Sequence, residues 1–131
     1  MSLIARYASR LTSINFEVMK KAIEAVKEEL GGEGLLSVKT VRGYSSSTKA
    51  NLVFRFEGMR FAMGIRQTKS GKVEFVGDSW GSENWELVQT LIERNYTALC
   101  GAIAMKRLGF TAQSQVYQDT VKGIMVEGMR T

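Results

Sequence analysis

Three runs in the middle of the chain alternate apolar and polar residues with a period of two. In 51–57, Leu52, Phe54 and Phe56 point one way, and Val53, Arg55 and Glu57 the other. In 60–66, Phe61, Met63 and Ile65 form one row, with Arg60 and Arg66 opposite; 72–76 repeats the pattern around Val73 and Phe75. Glu57-Gly58-Met59 and Lys69-Ser70-Gly71 separate the runs at hairpin lengths, each with a glycine free to take positive φ. The pattern predicts an antiparallel meander with one buried and one solvated face. A further strand is expected over 35–41, and one over 3–11, where Leu3, Ala5, Tyr7 and Leu11 oppose Arg6 and Arg10.

Two segments switch to a period near 3.6. Phe16, Met19, Ile23, Val26 and Leu30 make a single stripe, which predicts a surface helix over 16–30. N-cap candidates lie in 12–15, and Gly31-Gly32 offers a left-handed stop. A second helix is expected over 83–108, with Ser82 as N-cap, Glu83 and Glu86 in the first turn, Lys106 and Arg107 in the last, Gly109 after it, and Phe110 folded back on Met105. Its apolar surface covers more than half of the circumference, so either the first helix or a second subunit must lie beside it. Strands over 111–117 and 123–129 complete the order β-α-β-β-β-β-α-β-β. The expectation is one α+β domain spanning 1–131, an antiparallel sheet with two helices on one face.

Composition narrows the chemistry. The 131 residues include no histidine, no proline and one cysteine. Ser-His-Asp and Cys-His catalysis, His-based metal sites and an internal disulfide are therefore excluded, and no cofactor is expected. No apolar run suits a membrane span or a signal core, so a cytoplasmic location is expected. Cys100 sits mid-helix and reads as a structural thiol.

The net charge of +5 is concentrated in one segment. Residues 1–35 and 79–131 are each balanced, whereas 36–78 carry eight basic residues against three acidic ones. If the alternation holds, Arg55, Arg60, Arg66 and Lys72 share the solvated sheet face, with Lys39 nearby. Such a face could bind a polyanion such as nucleic acid, or it could be a solvated face that discourages edge aggregation. The aromatics Phe54, Phe56, Phe61 and Phe75 fall on the other row, away from these cations, and single-strand binders place aromatics among their cations.

A polar stretch without periodicity, Arg42-Gly43-Tyr44-Ser45-Ser46-Ser47-Thr48-Lys49, has the composition of an anion cradle but not Walker spacing; equally it reads as a hairpin loop. Asp78, Glu74 and Glu57 are the segment's carboxylates, and nothing in their spacing assembles a catalytic pair. Trp80 and Trp85 flank the second helix's start and read as anchors to the sheet.

Val41-Arg42-Gly43-Tyr44, Lys49-Ala50-Asn51-Leu52-Val53, Met63-Gly64-Ile65 and Glu74-Phe75-Val76-Gly77-Asp78 resemble, in order, blocks of an uncharacterised conserved open-reading-frame family of cyanobacteria and chloroplasts, with relatives in bacteria and archaea. Tyr96 and Gly109-Phe110 extend the resemblance to about 38–110, and Asn51 stands where that family tends to have aspartate. The resemblance implies a single α+β domain and directs attention to Arg42, Tyr44, Lys49 and Asp78, with no activity attached. Three functions are compatible with the sequence: a non-enzymatic accessory protein that self-associates or binds a protein partner, a polyanion binder using Lys39, Arg55, Arg60, Arg66 and Lys72, and a binder of, or enzyme for, a small anionic ligand at Arg42, Tyr44, Lys49 and Asp78.

Overall fold

The structure is a computed structural model that describes residues 4–80 and 82–109. The element order is β1 (Ala5–Thr12), α1 (Phe16–Leu30), β2 (Gly34–Leu36), β3 (Thr40–Arg42), β4 (Ser47–Lys49), β5 (Leu52–Arg55), β6 (Met63–Gln67), β7 (Lys72–Gly77) and α2 (Trp85–Arg107). Five strands form an antiparallel sheet in the order β1-β7-β6-β5-β2, and β3 and β4 form a separate hairpin. The class is α+β, as the periodicities predict, with both helices on one face of the meander. The strands expected over 111–117 and 123–129, and the contact of Phe110 with Met105, lie outside the described residues.

The helical face follows the predicted parity. Leu52, Phe54, Met63, Ile65, Val73 and Phe75 point into one core with Met19, Ile23 and Val26 of α1 and Trp85, Val88 and Ile92 of α2. Burying one such side chain contributes about 1.5–3 kcal/mol, so this cluster dominates the stability. α1 begins where its stripe begins: Asn15 Oδ1 accepts from the amides of Glu17 and Val18. Its exit differs from expectation, because Gly31 combines φ 81° with ψ −177°, an extended departure rather than a left-handed helical one. α1 packs against α2 and covers part of its broad apolar surface: Leu91 and Ala98 are buried, whereas Leu99, Ile103 and Met105 are half-buried and Leu87 is exposed.

Three departures matter for the other face. The segment expected as one strand over 35–41 is two. β2 pairs with β5 at the sheet edge, and the chain then turns over through 37–39 so that β3 leaves the sheet and pairs with β4. The run 60–66 is a strand only from Met63; 56–62 is a connection in which the Met59 amide donates to the Phe56 carbonyl and the Met59 side chain is buried. α2 starts at Trp85 with Asn84 at its cap, and Ser82 instead accepts from the Arg60 amide at 2.8 Å.

The second face of the sheet is therefore not wholly solvated. The β3–β4 hairpin crosses it, burying Val41 and Ala50 against Val53 and Val76. The crossing point is Gly64, where a Cβ would lie 2.5 Å from Val41 Cγ2 and 2.6 Å from Ala50 Cβ. Gly64→Ala should destabilise the fold by about 1–3 kcal/mol, the usual cost of overpacking, seen as a lower urea midpoint with little change in slope.

On the helical side, the Tyr96 hydroxyl accepts from the Asn15 amide at 2.8 Å, joining α2 to the cap of α1. Burial pushes the Tyr96 phenol above its ordinary value of 10.0; the Asn15 amide opposes this, and the neighbouring Cys100 thiol adds to the rise. A raised folded pKa means stability that is intact below pH 10 and lost as pH rises through the folded value. Tyr96→Phe should cost about 1 kcal/mol at neutral pH through the lost hydrogen bond. In urea titrations the gap between variant and parent should narrow above pH 10, where only the parent has a phenol to ionise.

Candidate functional site: an arginine groove beside two exposed rings

The hairpin divides the solvated face. Arg55 lies beyond the Gly64 row in one direction and Arg66 in the other, since β5–β6 pairing sets Val53 opposite Gly64. Four steps along the chain, from Ala62 beside Arg55 to Arg66 in β6, separate the two sides by about 13 Å. The cations read from the sequence as one surface thus form two groups. On one side, Arg66 is paired with Glu74 at 2.7 Å, with Lys72 exposed close by. On the other, Arg55 and Arg60 meet Arg42 of the hairpin. Lys39 joins neither group; its Nζ donates to the Asn51 carbonyl at 2.8 Å.

Arg42, Arg55 and Arg60 line a groove of about 450 Å³ between the hairpin and the 56–62 connection. Val53, Ala62 and Leu36 of the sheet contribute apolar surface, and Val38, Thr40, Phe61 and Glu33 complete the lining. Arg55 is held by the Met59 carbonyl at 3.0 Å and by Glu33 at 3.2 Å. That ion pair is exposed, a class that contributes about 0–1 kcal/mol, so an incoming anion could displace Glu33. Arg42 and Arg60 have no carboxylate partner among the described residues. Three guanidinium groups against one carboxylate leave the groove positive.

Arg60 links the groove to a pair of aromatic rings. Its guanidinium lies 4.3 Å from the Trp80 ring centroid and 5.5 Å from that of Phe61. Trp80 meets Tyr44 edge to face, with centroids 5.5 Å apart and planes at 70°. The two side chains are 51% and 63% exposed, so neither serves the core. Trp85 differs: it is buried, 5.1 Å from the Tyr7 ring and against Gly77, and does anchor α2 to the sheet.

Asp78 holds this arrangement in place. Its carboxylate is 1% exposed and accepts from the Tyr44 amide at 2.9 Å through Oδ2 and from the Trp80 amide at 3.0 Å through Oδ1. The second contact is an Asx turn. Gly43 passes so close that a Cβ there would lie 2.7 Å from Asp78 Cβ. One buried side chain thereby fixes the backbone of both exposed rings, and the Ser82–Arg60 bond fixes the backbone from which the Arg60 guanidinium reaches Trp80. Of the four residues singled out as an anion site, Arg42 lines the groove and Tyr44 stands beside it. Asp78 lies beneath with both oxygens occupied, and Lys49 is exposed at the far end of β4.

Sequence reasoning put Phe61 on the helical side and missed the Tyr44–Trp80 pair. A weak signal existed: each ring stands in a polar stretch beside a glycine, where core packing has no use for it. Among the described residues, no three His, Cys, Asp or Glu side chains gather as a metal site, and no helix is long and apolar enough to cross a membrane. The chain matches no family model, no curated protein and no solved structure.

If Asp78 positions the rings, Asp78→Ala should cost about 2–3 kcal/mol, from two amide bonds to a charged acceptor whose donors regain some water. Asp78→Asn should lose about half as much, since one acceptor oxygen remains. Urea midpoints measure both, and a red shift in Trp80 emission should accompany the alanine variant.

Proposed function

We propose that the protein is a non-enzymatic binding module that takes an anionic ligand in the groove formed by Arg42, Arg55 and Arg60. The observation that carries this reading is the pair of arginines, Arg42 and Arg60, that line a concave site and pair with no carboxylate among the described residues. Solvated arginines on a flat face would not support it. Here they converge on about 450 Å³, within the usual range of ligand sites. Guanidinium groups present forked donors suited to phosphate or carboxylate. Of the lining groups able to act as a nucleophile, Glu33 is paired with Arg55 and Thr40 has no acid or base hydrogen-bonded to it among the described residues, so binding accounts for the composition better than catalysis.

Self-association through α2 has weaker support. α1 covers part of the α2 surface that a second subunit could use. The exposed leucines of α2 and its C-cap, Leu87 and Leu108, are about 30 Å apart along the axis and form no patch.

Calorimetric titration with inorganic tripolyphosphate tests the reading. Affinity should fall with salt, and Arg42→Ala/Arg60→Ala should weaken binding about tenfold or more, because charge-assisted hydrogen bonds are lost. Lys69→Ala/Lys72→Ala removes the same charge beyond the hairpin and should change binding by less than about twofold. Equal losses in the two double variants would mean that net charge, not the groove, attracts the anion.

A further inference from the structure

We propose that the anion is single-stranded nucleic acid, with a base stacked on Tyr44 and neighbouring phosphates on Arg42 and Arg60. This rests on the anion-groove reading and adds to it the class of ligand. A phosphate-only ligand needs cations; it does not need two large aromatic rings exposed to water. Tyr44 and Trp80 are both more than half exposed, touch each other edge to face, and adjoin the arginines through Arg60. Aromatic rings among arginines are what single-strand sites use, because every base has a face to stack and every nucleotide a phosphate to neutralise.

The arrangement is built rather than incidental. The Asp78 carboxylate fixes the backbone of both rings, and the Ser82 hydroxyl fixes that of Arg60. With Arg60 stacked on Trp80, Tyr44 is the more open ring and so the platform, with Trp80 supporting its edge. Duplex recognition has no comparable basis here. A major groove admits a helix or a two-stranded ribbon; both helices of this protein lie on the opposite face of the sheet, and the β3–β4 ribbon lies against the sheet through Val41 rather than projecting from it. The groove has room for a nucleotide or so, bounded by the hairpin on one side and the 56–62 connection on the other.

The test is fluorescence anisotropy of labelled ligands with the full chain, at about 50 and 200 mM salt. The ligands are an oligothymidylate about ten nucleotides long, an abasic phosphodiester of equal length, the corresponding duplex, thymidine monophosphate and polyaspartate. The oligothymidylate should bind tightest, exceeding the abasic strand roughly five- to 150-fold, the worth of one stacked base. Two or three phosphate contacts should lower its affinity roughly seven- to 18-fold between the two salts. Tyr44→Phe should retain the preference for bases and Tyr44→Ala should lose it, with tripolyphosphate binding unchanged in both.

Equal binding of abasic and base-bearing strands overturns the proposal, as does polyaspartate, duplex or the mononucleotide binding as tightly as the oligomer. In those cases, continued dependence on Arg42 and Arg60 leaves the anion groove standing. Failure of tripolyphosphate and of every oligomer at the lower salt removes both readings.

Discussion

A single buried carboxylate organises the face of this protein opposite its helices. The β3–β4 hairpin contributes only one large apolar side chain, Val41, to its contact with the sheet, worth about 1.5–3 kcal/mol. Such a contact could place a hairpin but not aim its tip. Asp78 supplies the aim. It accepts from the amide of Tyr44 on the hairpin and from the amide of Trp80 on the way to α2, joining two segments that are far apart in sequence. Gly43 and Gly64 allow the close approach, each where a β-carbon would collide with the layer beneath. The exposed rings and the arginine groove are consequences of that attachment.

The two faces differ in how they are specified. On the helical face, stability and position come together: Phe54, Phe75, Met19 and Ile92 are buried and located by the same packing. On the hairpin face, apolar burial is slight, and position comes from directed hydrogen bonds to Asp78, Ser82 and the Met59 carbonyl. Directed bonds hold a few side chains without filling the space between them, and a groove remains where a core would otherwise be.

The same division explains what could be read from the sequence. The span of α1 was legible because a stripe, cap candidates over 12–15 and Gly31-Gly32 mark it, although the extended backbone at Gly31 was not. The meander was legible because alternation states which side chains are buried. The hairpin crossing was not, since Val53 and Val76 look outward by parity and only tertiary contact with Val41 and Ala50 covers them. Phe61 was misplaced for a related reason. Parity counting assumes unbroken strand, and the fold of Met59 back toward Phe56 breaks the count before residue 61. Arg42, Tyr44, Lys49 and Asp78 were singled out as one site; the first two and Asp78 lie close together at the hairpin's tip, while Lys49 stands at its far end. Their division of labour was not legible: a carboxylate that organises amides from below looks, in sequence, the same as one that faces a ligand.

The sheet order has a consequence for how the chain reaches this state. β5, β6 and β7 are joined by connections of seven and four residues and pair locally, whereas β1 pairs with β7 across most of the domain, Ala5 opposite Gly77. Contacts so distant along the chain carry a larger entropic cost of closure and form late. Until they do, β7 presents an open edge with unpaired backbone amides, the kind of edge that recruits strands from other chains. β1, which precedes β7 by the whole meander, is thus among the last of these strands to be placed, and the interval before its arrival is when that edge is most exposed to mispairing.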